Sequence, residues 1–284
     1  METNHQEIEL KLDLLERNQL ADRFFRDDPV FWIERSLSHE DIEVLSFILS
    51  GLSYGRVEQI KKSYFSLIQR LSPLGVDSFG GGVSEFLKNK EVFKQGSKPL
   101  KKRLQGWRHR LNTSDDVLNI LNWLSQVYGS GSSLKAFFQN ESIESCLSSL
   151  SKNIRQSDTR AKAQRSWSGT GPQWWAPDPK DGSACKRILM WLRWLVRTES
   201  PDIGIWNNIR PASDLIVPLD THVLNWCRKQ KILKNNVANW KNAVEVTSYF
   251  KKFSPKDPLK YDYLICHEGM SDFRKKLNGP KSIR

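Results

Sequence analysis

The sequence predicts an all-α protein. Three observations carry that expectation: apolar residues recur at intervals of three and four along most of the chain, helix-start residues precede several of these runs, and strand-like alternation is scarce. The first run is IELKLDLLERNQLADRFF. HEDIEVLSFILSGL follows behind Ser38, then GRVEQIKKSYFSLIQRL, then DDVLNILNWLSQVY behind Ser114, then SIESCLSSLSKNI. In HEDIEVLSFILSGL, Ile42, Leu45, Ile48, Leu49 and Leu52 form one buried stripe. That helix ends at the small polar turn Ser53-Tyr54-Gly55-Arg56, where a tyrosine and an arginine are placed to enter or brace a nucleic-acid groove.

Three stretches read as loops. Ser78-Phe79-Gly80-Gly81-Gly82 is a glycine-rich break. Lys94–Arg110 is dense in basic residues, with Lys101, Lys102, Arg103 and Arg108 around a tryptophan. Ser166–Gly182 is rich in Gly, Pro and Trp, and it leads into the most informative part of the chain.

That part is DGSACKRILMWLRWLVRTESPDIGIWNNIRPASDLIVPLD. A helix is predicted from Ser183 to Arg197, burying Ile188, Leu189, Trp191, Leu192, Leu195 and Val196. Lys186 lies about one turn inside it, where unpaired backbone amides disfavour positive charge. Arg193 and Arg197 share a face, suited to phosphate or to Asp202. The extended run LIVPL then delivers Asp220, which caps the helix THVLNWCRK and can hold a carboxylate towards a cleft. A lysine that sheds its proton is a nucleophile, and a carboxylate opposite it stabilises a developing cation. The pair therefore points to lysine-nucleophile chemistry if the two side chains meet.

Composition narrows the partners. No apolar run approaches the roughly 20 residues of a membrane span, and the charged first residues do not read as a secretory signal, so the chain is expected in the cytoplasm. Cys146, Cys185, Cys227 and Cys266 are about forty residues apart without a CxxC pair, which argues against a zinc or iron–sulfur knot and for free thiols. The net charge is +12, yet the first 44 residues carry −7, leaving +19 on the remainder. An excess of that size points to a polyanion, and eleven tryptophans supply flat rings that pack against bases.

GSACKRILMWLRWLVR followed by LIVPLDTHVLNWC resembles the helix-hairpin-helix DNA glycosylase superfamily, as do ILSGLSYGRVEQI and KYDYLICHEGM, in the same order. The nearest resemblance is to a bacterial and archaeal family catalogued as a domain of unknown function, with motifs like GSACKR, LRWxVR, PLDTHV and DPxKYDY. The nearest characterised relatives it suggests are the archaeal-type 8-oxoguanine glycosylases. The resemblance departs in three places. PDPKDGSACK replaces the usual glycine hairpin, TESPDIGIWNNIRPASD stands as an insertion between Lys186 and Asp220, and no C-terminal four-cysteine cluster is present.

The resemblance implies a two-lobed fold with a cleft: residues 1–38 pack with the C-terminal lobe, 39–215 form the lobe carrying a modified hairpin and Lys186, and 216–284 form the C-terminal lobe beginning at Asp220. It implies a DNA repair glycosylase with abasic-site lyase activity, Lys186 as the nucleophile and Asp220 as the catalytic acid. The alternative is a non-catalytic DNA or RNA binder of the same fold. Tyr54, Arg56, Lys101, Lys102, Arg103, Arg108, Arg187, Arg193, Lys251 and Lys252 are the expected DNA contacts. Trp174, Trp175 and His222 are expected at a base pocket. The partner is duplex DNA with a damaged base or abasic site, met in the nucleoid by a monomer with no metal or cofactor.

Overall fold

The computed structural model describes residues 6–12, 28–94, 98–139, 141–157 and 174–266. It is mostly helical, with one two-stranded sheet among the described residues. Residues 6–12 are helical; the rest of the first amphipathic run lies outside the described residues.

Helix α1 (His39–Leu52) starts where Ser38 Oγ accepts from the Asp41 amide at 3.1 Å, with Glu40 and Asp41 favourably placed in the first turn. Helix α2 (Val57–Leu71) follows the Ser53–Arg56 turn. The glycine-rich break leads to α3 (Val83–Lys88), and α4 (Lys90–Lys94) comes next. The basic segment expected as a loop holds a helix, α5 (Lys98–Leu104), and strand β1 (Arg108–His109), which pairs antiparallel with β2 (Asn112–Thr113). Leu100 and Leu104, four apart, are both fully buried, and that apolar seam makes the helix despite its surface charge.

Helix α6 (Ser114–Gly129) is capped one residue earlier than Ser114: Thr113 and Asp116 form a reciprocal capping box. Helix α7 (Ile143–Ser157) follows. Helix α8 (Lys186–Val196) begins three residues later than the predicted Ser183, because Gly182 and Cys185 adopt left-handed backbone and Ser183 bridges to Asn239. Lys186 is therefore the first residue of its helix. Asp220 caps α9 (Thr221–Lys229), and Asn239 caps α10 (Trp240–Phe250).

Helix α1 is the axis of the molecule, buried along most of its length and packed on α8. Trp191 of α8 donates from its indole to Ser46 Oγ at 2.9 Å and stands edge-on to Phe47 at 5.3 Å. Two carboxylates of α1 are buried with partners: Asp41 accepts from the Gly82 and Ser84 amides at the start of α3, and Glu43 accepts from the Lys135 amide at 2.8 Å. Gly51 is needed for close approach, since a Cβ there would lie 1.9 Å from Trp175 Nε1. Trp175 itself is fully buried and donates to the Ile48 carbonyl.

The apparent insertion is part of the core. Trp206 packs edge-on against Trp191 at 4.9 Å, and the amides of Ile203 and Trp206 donate to the carbonyls of Trp194 and Leu195 at the end of α8. Buried Arg210 donates to the Phe138 and Glu141 carbonyls and pairs with Asp214, tying the segment to the start of α7. No helix among the described residues is long and apolar enough to cross a membrane.

Candidate active site

Two tightly turned segments deliver the candidate pair. Ahead of Lys186, Asp178 accepts from the Lys180 amide and from Ser148 Oγ of α7, while Asp181 pairs with Arg155 of α7. Cys185 then turns the chain through φ 51° into α8, its thiol buried against the Pro177 carbonyl and pushed up to about 12 by that burial. Behind Asp220, Pro218 and Leu219 end the extended run, and Asp220 Oδ1 accepts from the Val223 amide at 2.8 Å. The cap bond fixes the carboxylate and leaves Oδ2 turned to α8.

Lys186 Nζ lies 3.9 Å from Asp220 Oδ2. The lysine is 44% exposed and the aspartate 11%, so the amine is reachable while the carboxylate is sheltered. A third group completes the constellation: Cys266 Sγ donates to Asp220 Oδ2 at 3.1 Å. Burial, with the Asp220 charge beside it, pushes this thiol well above the usual thiol range, so it stays a protonated donor.

The pair opens into a cavity of about 320 Å³. Ser53, Gly55, Val57 and Ile60, from the α1–α2 turn and α2, line it together with Lys186, Met190 and Arg193 of α8 and with Pro218 and Asp220–Val223. Asp28, Asp262 and Tyr263 also face it. That volume is at the lower end of the ~300–1,000 Å³ typical of small-ligand sites.

Beneath the cavity is a buried ion network. Arg193 pairs with Asp28 at 2.8 Å, Asp202 at 3.1 Å and Asp262 at 3.5 Å; Arg197 pairs with Asp202 at 2.6 Å and Asp257 at 2.8 Å. Four carboxylates surround two guanidiniums, so the network leans negative. Burial raises Asp202 to about 6 and raises Asp262 as well, in both cases against the pull of Arg193 and Arg197. Asp262 Oδ1 has no hydrogen-bond partner among the described residues.

Arg193, suited by its sequence to phosphate or to Asp202, pairs with Asp202 and two further aspartates and is 5% exposed, which removes it from a DNA surface. Trp175, expected at a base pocket, is core for the reason given above. Trp174 lies outside the cavity, its ring 3.9 Å from the Arg187 guanidinium. Arg187 is half-buried between Trp174 and Tyr54 with one long hydrogen bond to the Gly51 carbonyl, and burial lowers it to about 10. His222 lines the cavity. Tyr54 is turned away from the cavity and holds the β1–β2 hairpin. Arg56, Lys101, Lys102, Arg103, Arg108 and Lys252 are exposed and Lys251 is half-exposed.

Sequence reasoning missed Asp28, Cys266 and Asp262. Asp262 stands in the quoted KYDY motif, and that motif was its only signal. All the cavity residues lie within residues 28–271, over which a family of proteins matches this chain under the description "Protein of unknown function (DUF2400)". The chain belongs to that family. The DUF2400 match opens at Asp28, the acid that begins the Arg193 network, and runs past Cys266. Neither a curated protein nor a solved structure matches the chain.

Proposed function

We propose that this protein is a DNA base-excision enzyme in which Lys186 attacks the sugar of an extruded nucleotide. The single observation that carries the reading is the 3.9 Å approach of Lys186 Nζ and Asp220 Oδ2 at the edge of a cavity. On this reading the helices form a two-lobed, helix-hairpin-helix-like scaffold. The turn from Asp178 to Cys185 replaces the usual glycine hairpin, and the cleft runs past the α1–α2 turn. The +12 net charge supports a polyanionic partner, and the exposed Arg56, Lys101, Lys102, Arg103, Arg108 and Lys252 are the phosphate contacts.

The steps follow from the placement of the groups. A flipped nucleotide puts its base into the cavity that His222 and Tyr263 line. The bond to the base breaks; Lys186, once it has given a proton to solvent, then bonds through Nζ to the anomeric carbon, and the second proton it sheds goes to the departing base. Asp220, held by the Val223 amide and the Cys266 thiol, places its carboxylate to stabilise the cationic sugar between those events. The aminal opens to a Schiff base, and loss of the sugar's C2′ proton expels the 3′-phosphate in β-elimination. The negative ion network below adds to the field that favours the cation. Oxidised guanine is the leading candidate base by resemblance.

Borohydride trapping tests this. Duplexes carrying an abasic site or 8-oxoguanine are incubated with wild type and with Lys186→Gln. A covalent adduct formed by wild type and absent in the variant is the expected result. Tight, salt-sensitive DNA binding with no adduct would replace the enzyme with a non-catalytic binder.

A further inference from the structure

The β1–β2 hairpin is built to present two residues. His109 pairs with Asn112, so Arg110 and Leu111 are the whole loop. Everything beneath them is fixed. Tyr54 Oη lies 2.9 Å from the His109 carbonyl oxygen and 2.6 Å from Asn112 Oδ1, and it accepts from the Leu111 amide at 3.2 Å. His109 is fully buried, with Nε2 3.2 Å from the Tyr54 carbonyl and Nδ1 2.9 Å from Ser63 Oγ. A carbonyl only accepts, so Nε2 carries the proton and Nδ1 accepts from the serine. Burial lowers the His109 pKa and keeps the ring neutral in that role.

At the tip, Leu111 is 53% exposed, an apolar side chain in water that follows Arg108 and Arg110 in the hairpin. Arg110 adopts φ 50°, a backbone that glycine or asparagine takes with less strain. Its side chain runs along Gly55, where a Cβ would come within 2.8 Å of Arg110 Cδ and Nη1. Gly55 also lines the cavity, so the Arg110 side chain of the tip reaches the cavity's edge. A rigid, cationic loop with one exposed aliphatic residue beside a base-sized hole has the features of a helix-opening device: arginine for the phosphates, an apolar wedge for the base step.

We propose that Leu111, presented by the Tyr54-braced hairpin, inserts into the base stack of duplex DNA and fills the gap left by the nucleotide that enters the Lys186–Asp220 cavity. This rests on the reading of that cavity as a base-excision site. It assigns the insertion to Leu111 and makes Tyr54 a positioning residue, acting through the hairpin.

The test uses full-length protein and duplexes in which a tetrahydrofuran abasic analogue faces 2-aminopurine, beside intact duplexes. Wild type is expected to change 2-aminopurine fluorescence on binding. Leu111→Ala is expected to lose that response and to bind the gapped duplex about tenfold more weakly, the scale of one lost stacking contact. Its affinity for intact duplex stays the same, which a merely structural defect would not allow. Leu111→Phe restores both, and Tyr54→Phe, which keeps the ring and frees the hairpin, weakens both. A fluorescence response and affinity ratio unchanged in Leu111→Ala would overturn the wedge, as would wild type that gives no response. Trapping on a natural abasic site in the same sequence separates the two readings. Trapping intact with no Leu111 effect sinks the wedge alone, whereas a Leu111-dependent response without trapping sustains the wedge and sinks the enzyme.

Discussion

Asp220 holds two roles that a pair of substitutions separates. Its Oδ1 caps α9 through the Val223 amide at 2.8 Å, and its Oδ2 faces Lys186 at 3.9 Å and Cys266 at 3.1 Å. Asparagine is as good a cap as aspartate, so Asp220→Asn keeps the first role and removes the charge. The ion pair involves a lysine that is 44% exposed, and solvent screening holds its contribution to stability below about 1 kcal/mol. Asp220→Asn should therefore unfold within about 1 kcal/mol of wild type, while Asp220→Ala, lacking any cap acceptor, loses about 1–2 kcal/mol. Activity should divide differently. Without the carboxylate, base release falls by about 10²–10³, the scale for removing one preorganised electrostatic group from a transition state, in Asn and Ala variants alike. Chemical denaturation and single-turnover excision on one lesion duplex measure the two quantities. Full excision by Asp220→Asn would refute the electrostatic role. Excision kept by Asp220→Asn and lost only in the destabilised Asp220→Ala would make Asp220 a cap and nothing more.

Arg193→Ala leaves three buried carboxylates without their shared cation and should cost about 3–5 kcal/mol in denaturant unfolding, more at pH 8 than at pH 5 because protonation relieves the repulsion; a change under about 1 kcal/mol would contradict the network. Glu43 is buried and raised from 4.5 to about 7, chiefly by desolvation, so between those pH values the folded state holds a proton that the unfolded state has lost. Its contribution to stability is therefore full below pH 4.5 and falls as pH rises through that window, by on the order of 3 kcal/mol. Glu43→Gln, which keeps an acceptor for the Lys135 amide, should flatten that part of the stability–pH curve, and a curve parallel to wild type would refute the assignment. Gly51→Ala improves helix propensity by about 1 kcal/mol yet drives a methyl into Trp175, and should be net destabilising by about 1–3 kcal/mol in thermal or chemical unfolding; a stabilised variant would show that the indole moves aside freely.

What the sequence reveals here divides by range. Ser38 and Asp220 are legible as helix starts because capping is a local bond, to the amides of Asp41 and Val223 three residues on. Thr113 and Ser114 both offer hydroxyls, and the reciprocal bond with Asp116 decides for Thr113. The segment around α5 looks like a loop because its charges outnumber its apolar residues, although the Leu100–Leu104 spacing already carries a helical seam. The cavity floor is harder. Arg193 has the same side chain whether it meets phosphate or carboxylate, and its partners lie 9, 69 and 165 positions away. Trp175 is likewise chosen for the core by Gly51, which no local pattern links to it. Cys266 meets Asp220 across 46 positions, so its thiol shows no role until the chain is folded.

The most direct test of the central claim is to locate the covalent bond. Borohydride-reduced adduct with an abasic duplex, digested with nuclease and trypsin and mapped by mass spectrometry, is expected to carry the sugar remnant on Lys186. Cleavage after Lys186 would then be blocked and residues 181–187 recovered as a single modified peptide. A remnant on another lysine, or on the terminal amine, with residues 181–186 released unmodified, would contradict the account.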